Sequence, residues 1–401
     1  MYDAIIIGAG VAGSPTALLT ARAAHKILLL DKPRADNNPA TEILLTGAAA
    51  KLDRWGLLEE FQALGAPALR SLRVDLSGIV LSGSPSGIGG VRDSYVPRRA
   101  LLDKMLLEEA ARVGVEVRQD FEVTEIVRSG TRVTGVRGKT KSGETVEESA
   151  KIVVGADGRN SVVAQAVKAD LQKDGPSGCA YYYALWSGVH ADGMDVTIGE
   201  GKALGWVPTH DGLTRVFAAW TENAFPGSRN DMAGTYHKVL MSDSRASDLL
   251  SPAKMEGQML GTDFGTSAFM RAAYGPGWAL VGDASYYENP IAAHGILNAF
   301  RDAEFLAMAL DHTFSGRTPA QDALRDYELS RNEAETPLYE SAARRSTLSG
   351  PPPHVRRLIE NLVGKQEDID AFFGVDAGTV NYSDFFTDEN LQRIAGKATA
   401  A

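Results

Sequence analysis

The sequence predicts an α/β chain. A doubly wound domain with buried parallel strands is interleaved with a smaller α+β domain of antiparallel strands and followed by a helical C-terminal segment. Three observations predict it. Short apolar runs ending directly in glycine turns recur at Ile5–Ile7, Ile152–Val154 and Ala279–Val281, the pattern of strands buried on both faces. From about Cys179 to Phe269 the pattern changes to aromatic, alternating strands with Asp-Gly turns at Asp192-Gly193 and Asp211-Gly212. After Pro319 the chain is charged and largely helical, broken by Pro351-Pro352-Pro353.

Taken in order, Ile5, Ile6 and Ile7 form the first strand, and Gly8, Gly10 and Gly13 follow without a polar loop. Gly8 permits the tight turn, Gly10 lets backbone approach a pyrophosphate, and Gly13 lets the next helix press on the strand. That helix aims its unpaired N–H groups and positive dipole end at the phosphates. Ile27–Leu30 is the second strand. Asp31 ends it 18 residues after Gly13, where a carboxylate accepts hydrogen bonds from a ribose diol. The unit is Rossmann-like and suits an adenine dinucleotide, FAD or NAD.

Lys32–Pro39 is a polar loop, and Leu44–Leu64 has helical spacing ending at Gly65-Ala66-Pro67. Leu72–Leu76 and Ile79–Leu81 read as strands, and Ser82–Gly90 as a glycine- and serine-rich loop. Arg98 and Arg99 open a helix with Leu102, Met105, Leu106 and Ala110 on one face. A meander follows, with strands near 115–117, 121–127, 133–137 and 146–148. The second buried strand ends in Gly155-Ala156-Asp157-Gly158, and the third in Gly282-Asp283-Ala284 before an amphipathic helix over 295–309. The expected organisation is a discontinuous dinucleotide domain (1–75, 95–178, 270–345), an antiparallel substrate domain (76–94, 179–269) and a helical tail (346–401) serving as a cap or interface.

With 401 residues, 44% hydrophobic and 23% charged, the chain has the composition of a soluble globular protein. A net charge of −10 argues against a nucleic-acid partner. Cys179, the single cysteine, excludes an intramolecular disulfide and any multi-cysteine metal site, and it is read as a small buried residue. With the first strand at the very start and no apolar run of spanning length, the expectation is a cytoplasmic protein with no signal peptide and no membrane span.

Taken together, Gly8-Ala9-Gly10-Val11-Ala12-Gly13, Gly155-Ala156-Asp157-Gly158 and Gly282-Asp283 with Pro290 and Gly295 resemble the three signatures of FAD-dependent aromatic hydroxylases, the p-hydroxybenzoate-hydroxylase-like single-component flavin monooxygenases. The resemblance spans roughly residues 1–345. It implies that Asp283 hydrogen-bonds the ribityl chain of FAD and that Asp157 and Gly158 support the pyrophosphate region and a transient NADPH or NADH. It also implies that Arg99 contacts the flavin and that Gly295, Ile296 and Leu297 place backbone N–H groups at the flavin's N1 and C2 carbonyl. Lys32 and Val123 complete the implied cofactor shell. Reduced flavin is anionic near N1, so a helix N-terminus there stabilises it.

The family's chemistry implies an NAD(P)H-consuming monooxygenase that hydroxylates an aromatic or polycyclic molecule with O₂ through a flavin C4a-hydroperoxide, behind walls that exclude water. Tyr181, Tyr183, Trp206 and Trp220 are the candidate substrate wall, core packing being the competing account of each. His294 is the candidate base. The sequence departs from the family where Ser285-Tyr286-Tyr287-Glu288-Asn289 follows Gly-Asp-Ala. An FAD-dependent alkene reductase resembling geranylgeranyl reductases is the main alternative, with Phe372-Phe373 and Phe385-Phe386 as candidate lipid-channel residues. Flavin halogenases compete less closely, because Gly205-Trp206-Val207-Pro208 lacks their Trp-x-Trp-x-Ile-Pro stretch. A flavin holder without turnover is the non-enzymatic reading. The tail is equally suited to a homodimer contact and to packing on its own body.

Overall fold

A computed structural model describes residues 1–33, 40–264 and 267–396, so most of the loop expected over Lys32–Pro39 lies outside the described residues. The first sheet is built on Tyr2–Ile7. Ile27–Leu30 and then Glu116–Arg118 lie on one side of it, and Thr145–Gly155 and then Trp278–Leu280 on the other, all parallel. Both faces are covered, which is why its strands read as continuous apolar runs. Ile6, Leu29 and Val154 face Leu18, Leu102 and Phe300 of the surrounding helices, whereas Ile5, Leu28 and Val153 face Phe121 and Val136 on the other side. The antiparallel pair Glu122–Ser129 and Arg132–Lys139 extends from Thr145–Gly155 as that second cover.

The second sheet has seven strands, in the order Lys254–Thr262, Ala180–Ser187, Thr214–Trp220, Lys202–Pro208, Met194–Gly199, Leu72–Leu76 and Ile79–Gly83. It is antiparallel except where Met194–Gly199 runs parallel to Leu72–Leu76. The expected boundary after residue 75 is therefore corrected: Leu72–Leu76 pairs wholly within this sheet, and the chain leaves the first domain before residue 72. A three-stranded sheet, Leu171–Ser177, Ser267–Arg271 and Tyr286–Tyr287, lies at the passage between the two.

The expected helix over 44–64 is two, Thr46–Arg54 and Leu58–Gln62, because Gly56 takes a left-handed φ of +72° and ends the first. The tail forms Pro353–Leu362, Gln366–Ala377 and two shorter helices packed on Leu81. Phe373 and Phe385 are buried in that contact, with the half-buried Phe372 and Phe386 packed against them, so the four form one aromatic cluster of the tail. Asp370 in the tail accepts from the Ser84 backbone N–H at 3.0 Å, tying down the glycine- and serine-rich loop.

Candidate functional site

The first strand stops at Gly8, whose φ of +102° only glycine adopts readily. A Cβ there would stand 2.4 Å from the Ala156 carbonyl oxygen, and one on Gly13 would stand 1.8 Å from that of Gly8. The turn is thus clamped between its own helix and the neighbouring strand's turn. Asp31 is buried and accepts a hydrogen bond from the Ala9 N–H at 3.1 Å, so the carboxylate also braces the glycine turn from the adjacent strand.

A cavity of about 730 Å³ opens over this turn, within the range of small-molecule sites. It runs from Asp31, Lys32 and Val123 past Gly8, Gly10, Val11, Ala12, Asp157 and Gly158 to Arg99, Gly282 and Asp283. Beyond them it reaches Pro290, His294, Gly295 and Ile296, with Tyr181 on the second sheet. Of the residues singled out from the sequence, these share one hollow. Gly13 lies behind it as the packing glycine. Leu297 also lies behind it, in the core against Gly378, because it occupies the inward side of its helix.

The four aromatics divide by strand parity. Tyr181 lines the cavity, and the Tyr183 hydroxyl accepts from the Thr41 N–H at 3.2 Å on the same sheet face. Trp206 and Trp220 project from the opposite face into a core with Trp186, Tyr236 and Leu240, and Trp220 is fully buried there. Their assignment to the substrate wall is corrected: successive strand residues alternate faces, and the cofactor-side face is the one carrying Tyr181 and Phe217.

Electrostatics distinguish two regions. Asp283 opens on the cavity but is ringed by protein; burial pushes its carboxyl up to about 6 against the pull of Arg99. Arg99, at the start of the helix Arg99–Arg112, is held 3.2 Å from Asp103. Asp157 accepts from the Val162 N–H at 2.7 Å through one oxygen, while its other oxygen is buried without a partner and its carboxyl is raised by burial. Near the helix Gly295–Phe314, Ala293 holds a left-handed φ of 61° that turns His294 and Gly295 to the cavity. His294 is buried with Nδ1 3.1 Å from Glu288 Oε1, near but not aligned as a hydrogen bond. Glu288 accepts from the Tyr286 hydroxyl at 2.6 Å and from Asn298 Nδ2 at 3.3 Å.

The second sheet adds a residue that sequence reasoning missed. Arg215 is 4% exposed and lines the cavity. It donates to the Thr41 carbonyl and, at 3.0 Å, to the Tyr181 hydroxyl; its guanidinium lies 3.7 Å from the centre of the Tyr183 ring, and its Nε has no partner. No carboxylate among the described residues pairs with it, although Glu42 on the same cavity wall is near enough to be felt. Glu42 and Glu288 were likewise missed. The signal for Arg215 was one charged residue inside the otherwise apolar run Thr214–Trp220.

The hollow suits a dinucleotide. The glycine turn and helix end leave backbone open to a pyrophosphate, nothing lies within 4 Å of a Cβ built on Gly158 or Gly295, and Asp157 presents an unpartnered oxygen. A family model described as an FAD binding domain matches residues 1–342. The digeranylgeranylglycerophospholipid reductase of Methanocella arvoryzae is 25% identical over 346 residues, 83% of each chain. The myxobacterial chondrochloren halogenase has a similar structure, with TM-score 0.78, 21% identity, and 98% and 97% of the chains covered. So does PqsL of Pseudomonas aeruginosa, a probable FAD-dependent monooxygenase, with TM-score 0.67, 20% identity, and 93% and 99% covered.

Proposed function

The chain belongs to the FAD-binding-domain family of FAD-dependent oxidoreductases, and from that premise we propose that it is a monooxygenase acting on an aromatic small molecule that carries an acidic oxygen. One atom of O₂ enters a ring C–H bond and the other leaves as water, with two electrons from NADPH or NADH. The observation that carries this reading is Arg215. Among the described residues no carboxylate is in ion-pair contact with this buried cation and its Nε has no hydrogen-bond partner, so an anionic group on the ligand would complete its set of contacts.

FAD, when bound, would supply the redox chemistry and the activation of O₂. The chain's part is to bind, orient and exclude water. The glycine turn, Arg99 and Asp283 would hold the cofactor. Arg215 would anchor the substrate's acidic oxygen beside Tyr181, and the face of the second sheet would close the hollow against water. His294, which also lines the hollow, would move the proton of a ring hydroxyl.

The reading is supported over alkene reduction by the polar wall around Arg215. The test is titration of the FAD-loaded protein with a panel of aromatic acids and their methyl esters, followed by flavin absorbance. Binding of the acids, weakened about 30-fold or more in Arg215→Met, is expected from the loss of a buried charged pair. Turnover under isotopically labelled oxygen should then place label in the organic product. Equal binding of acid and ester, or unlabelled product with a saturated alkene formed, overturns it.

A further inference from the structure

A fully buried pair of acids stands behind the turn that carries Asp283. Asp302 lies on the helix Gly295–Phe314 and Glu335 on the helix Ala320–Arg345 packed against it, and neither has any exposed surface. The two carboxyls are within hydrogen-bonding reach of each other. Asp302 Oδ2 accepts from the N–H of Gly282, the residue before Asp283, at 3.3 Å. Asp302 Oδ1 and both oxygens of Glu335 receive no hydrogen bond from the described residues.

Two ionised carboxyls are acceptors only and cannot bond each other, whereas one proton between them turns the contact into a hydrogen bond. The neighbouring cations do not make up the deficit. Arg301 Nη1 is 3.8 Å from Glu335 Oε1, too far for a hydrogen bond. Arg331, fully buried, gives its N–H groups to neutral oxygens of Asn332, Gln172, Ser285 and Arg271. Charge points the same way. The groups facing Glu335 are Asp302 and Arg301 on the adjoining helix, Glu288 and Tyr286 ahead of that helix, and Arg331 and Tyr327 on its own. Three acids thus meet two guanidiniums, and one proton among the acids brings the sum to zero. Asp302 already holds an N–H donor and feels Arg331, both of which favour its charge, whereas Glu335 has neither oxygen satisfied. Burial raises both carboxyls, and burial with Asp302 alongside drives that of Glu335 well above the ordinary range.

We infer that Glu335 is protonated at neutral pH and is a positioning residue: it donates its O–H to Asp302 Oδ1 and so fixes the carboxylate that holds the Gly282 N–H and, through it, the turn presenting Asp283 to the cavity. The proton is then a working part of the cofactor site, one layer behind its wall. An ionised Glu335 paired with Arg301 is the competing account.

The test is infrared absorption of the full-length, FAD-loaded protein at about pH 7, read as the difference between unlabelled protein and protein carrying carbon-13 in its glutamate side-chain carboxyls, so that flavin bands cancel. A protonated-carboxyl stretch that moves in heavy water is expected, and Glu335→Gln should abolish it. Absence of the band overturns the inference, as does a band that survives in Glu335→Gln; the labelled wild type alone can refute it if a variant fails to fold. Stability gives a second readout. Above the ordinary carboxyl value of 4.5 the unfolded chain releases this proton while the folded chain keeps it. The folding constant of the wild type relative to Glu335→Gln should therefore fall by about tenfold per pH unit between about pH 5 and 7, where an ionised, paired Glu335 would leave the ratio flat. Glu335→Gln keeps a donor for Asp302 and should retain FAD as the wild type does. Glu335→Ala removes that donor and should weaken FAD by about tenfold, the worth of one buried hydrogen bond; equal retention in both variants overturns the positioning role. No substrate or turnover enters, so failure of oxygen insertion and failure of this assignment remain distinguishable.

Discussion

Replacing Gly13 with alanine probes the contact on which the cofactor end of the cavity depends. The added Cβ would stand 1.8 Å from the Gly8 carbonyl oxygen and 3.0 Å from Ala156 Cβ. Ordinary contact begins at 3.4 Å, so the helix Gly13–Arg22 must retreat from the turn by about 1.5 Å. Neither obstacle yields: one is backbone in a left-handed turn, the other a methyl on the next strand's turn. Retreat also lifts Ala17 and Leu18, both fully buried, from the core. Overpacking of this kind costs about 1–3 kcal/mol, which lowers Tm by roughly 1–4 °C in a chain of this size. The helix N–H groups move away from the phosphates by the same amount, and each charge-assisted hydrogen bond lost weakens FAD by about tenfold. The assay is FAD per chain by absorbance after gel filtration, with calorimetry in the presence and absence of excess FAD. A variant that keeps full FAD and its Tm would refute the clamped-turn account.

Asp283→Asn should alter the pH dependence of the apo protein. With its folded pKa raised to about 6, Asp283 takes up a proton more readily in the folded chain than in the unfolded one, so its contribution to stability falls as pH rises from the ordinary carboxyl value toward 6 and is level above that. The Tm of the wild type relative to that of Asp283→Asn should therefore fall through that window and hold steady beyond it; a gap that goes on changing above pH 7 instead would show that burial is not the cause. Trp220→Ala removes a fully buried indole from the face turned away from the cavity, costing about 3–5 kcal/mol in denaturant unfolding. FAD content in the surviving folded fraction should be unchanged, and selective loss of FAD would return Trp220 to the cofactor side. Phe373→Ala should cost about 3–5 kcal/mol if the tail unfolds with the body, or instead expose the 353–394 segment alone to limited proteolysis; resistance to both would contradict its place in the tail core.

The cofactor half was legible because its chemistry is carried by backbone geometry, which glycine spacing reports directly. Gly8, Gly10 and Asp31 stand within one local unit, and the buried runs at Ile152–Val154 and Ala279–Val281 identify its neighbours. The substrate half was less legible. Tyr181 and Trp220 lie on different strands, and which parity faces the cavity depends on a register set by pairing across the whole sheet, Ala180 opposite Trp220. Arg215 was hidden because the alternation that buries Phe217 also buries it, and a lone arginine in a strand is ordinarily a surface residue. Asp376 had no signal at all: it is one of four acids on the helix Gln366–Ala377, and only the fit of Gly378 against Leu297 brings it near His294.

The order of strands in the first sheet has a consequence for how the protein is made. Tyr2–Ile7 is synthesised first, but its partner on one side, Thr145–Gly155, comes more than a hundred residues later, and the next strand, Trp278–Leu280, later still. The helix Gly295–Phe314, which closes the far end of the hollow, follows that. At about 5–20 residues per second, roughly 15–60 s separate the emergence of the glycine turn from that of the helix. A complete flavin site therefore exists only after the helix Gly295–Phe314 has been made. Until then the nascent chain carries an unpaired, strongly apolar strand edge, the kind of surface that associates with other chains until its partner strand arrives.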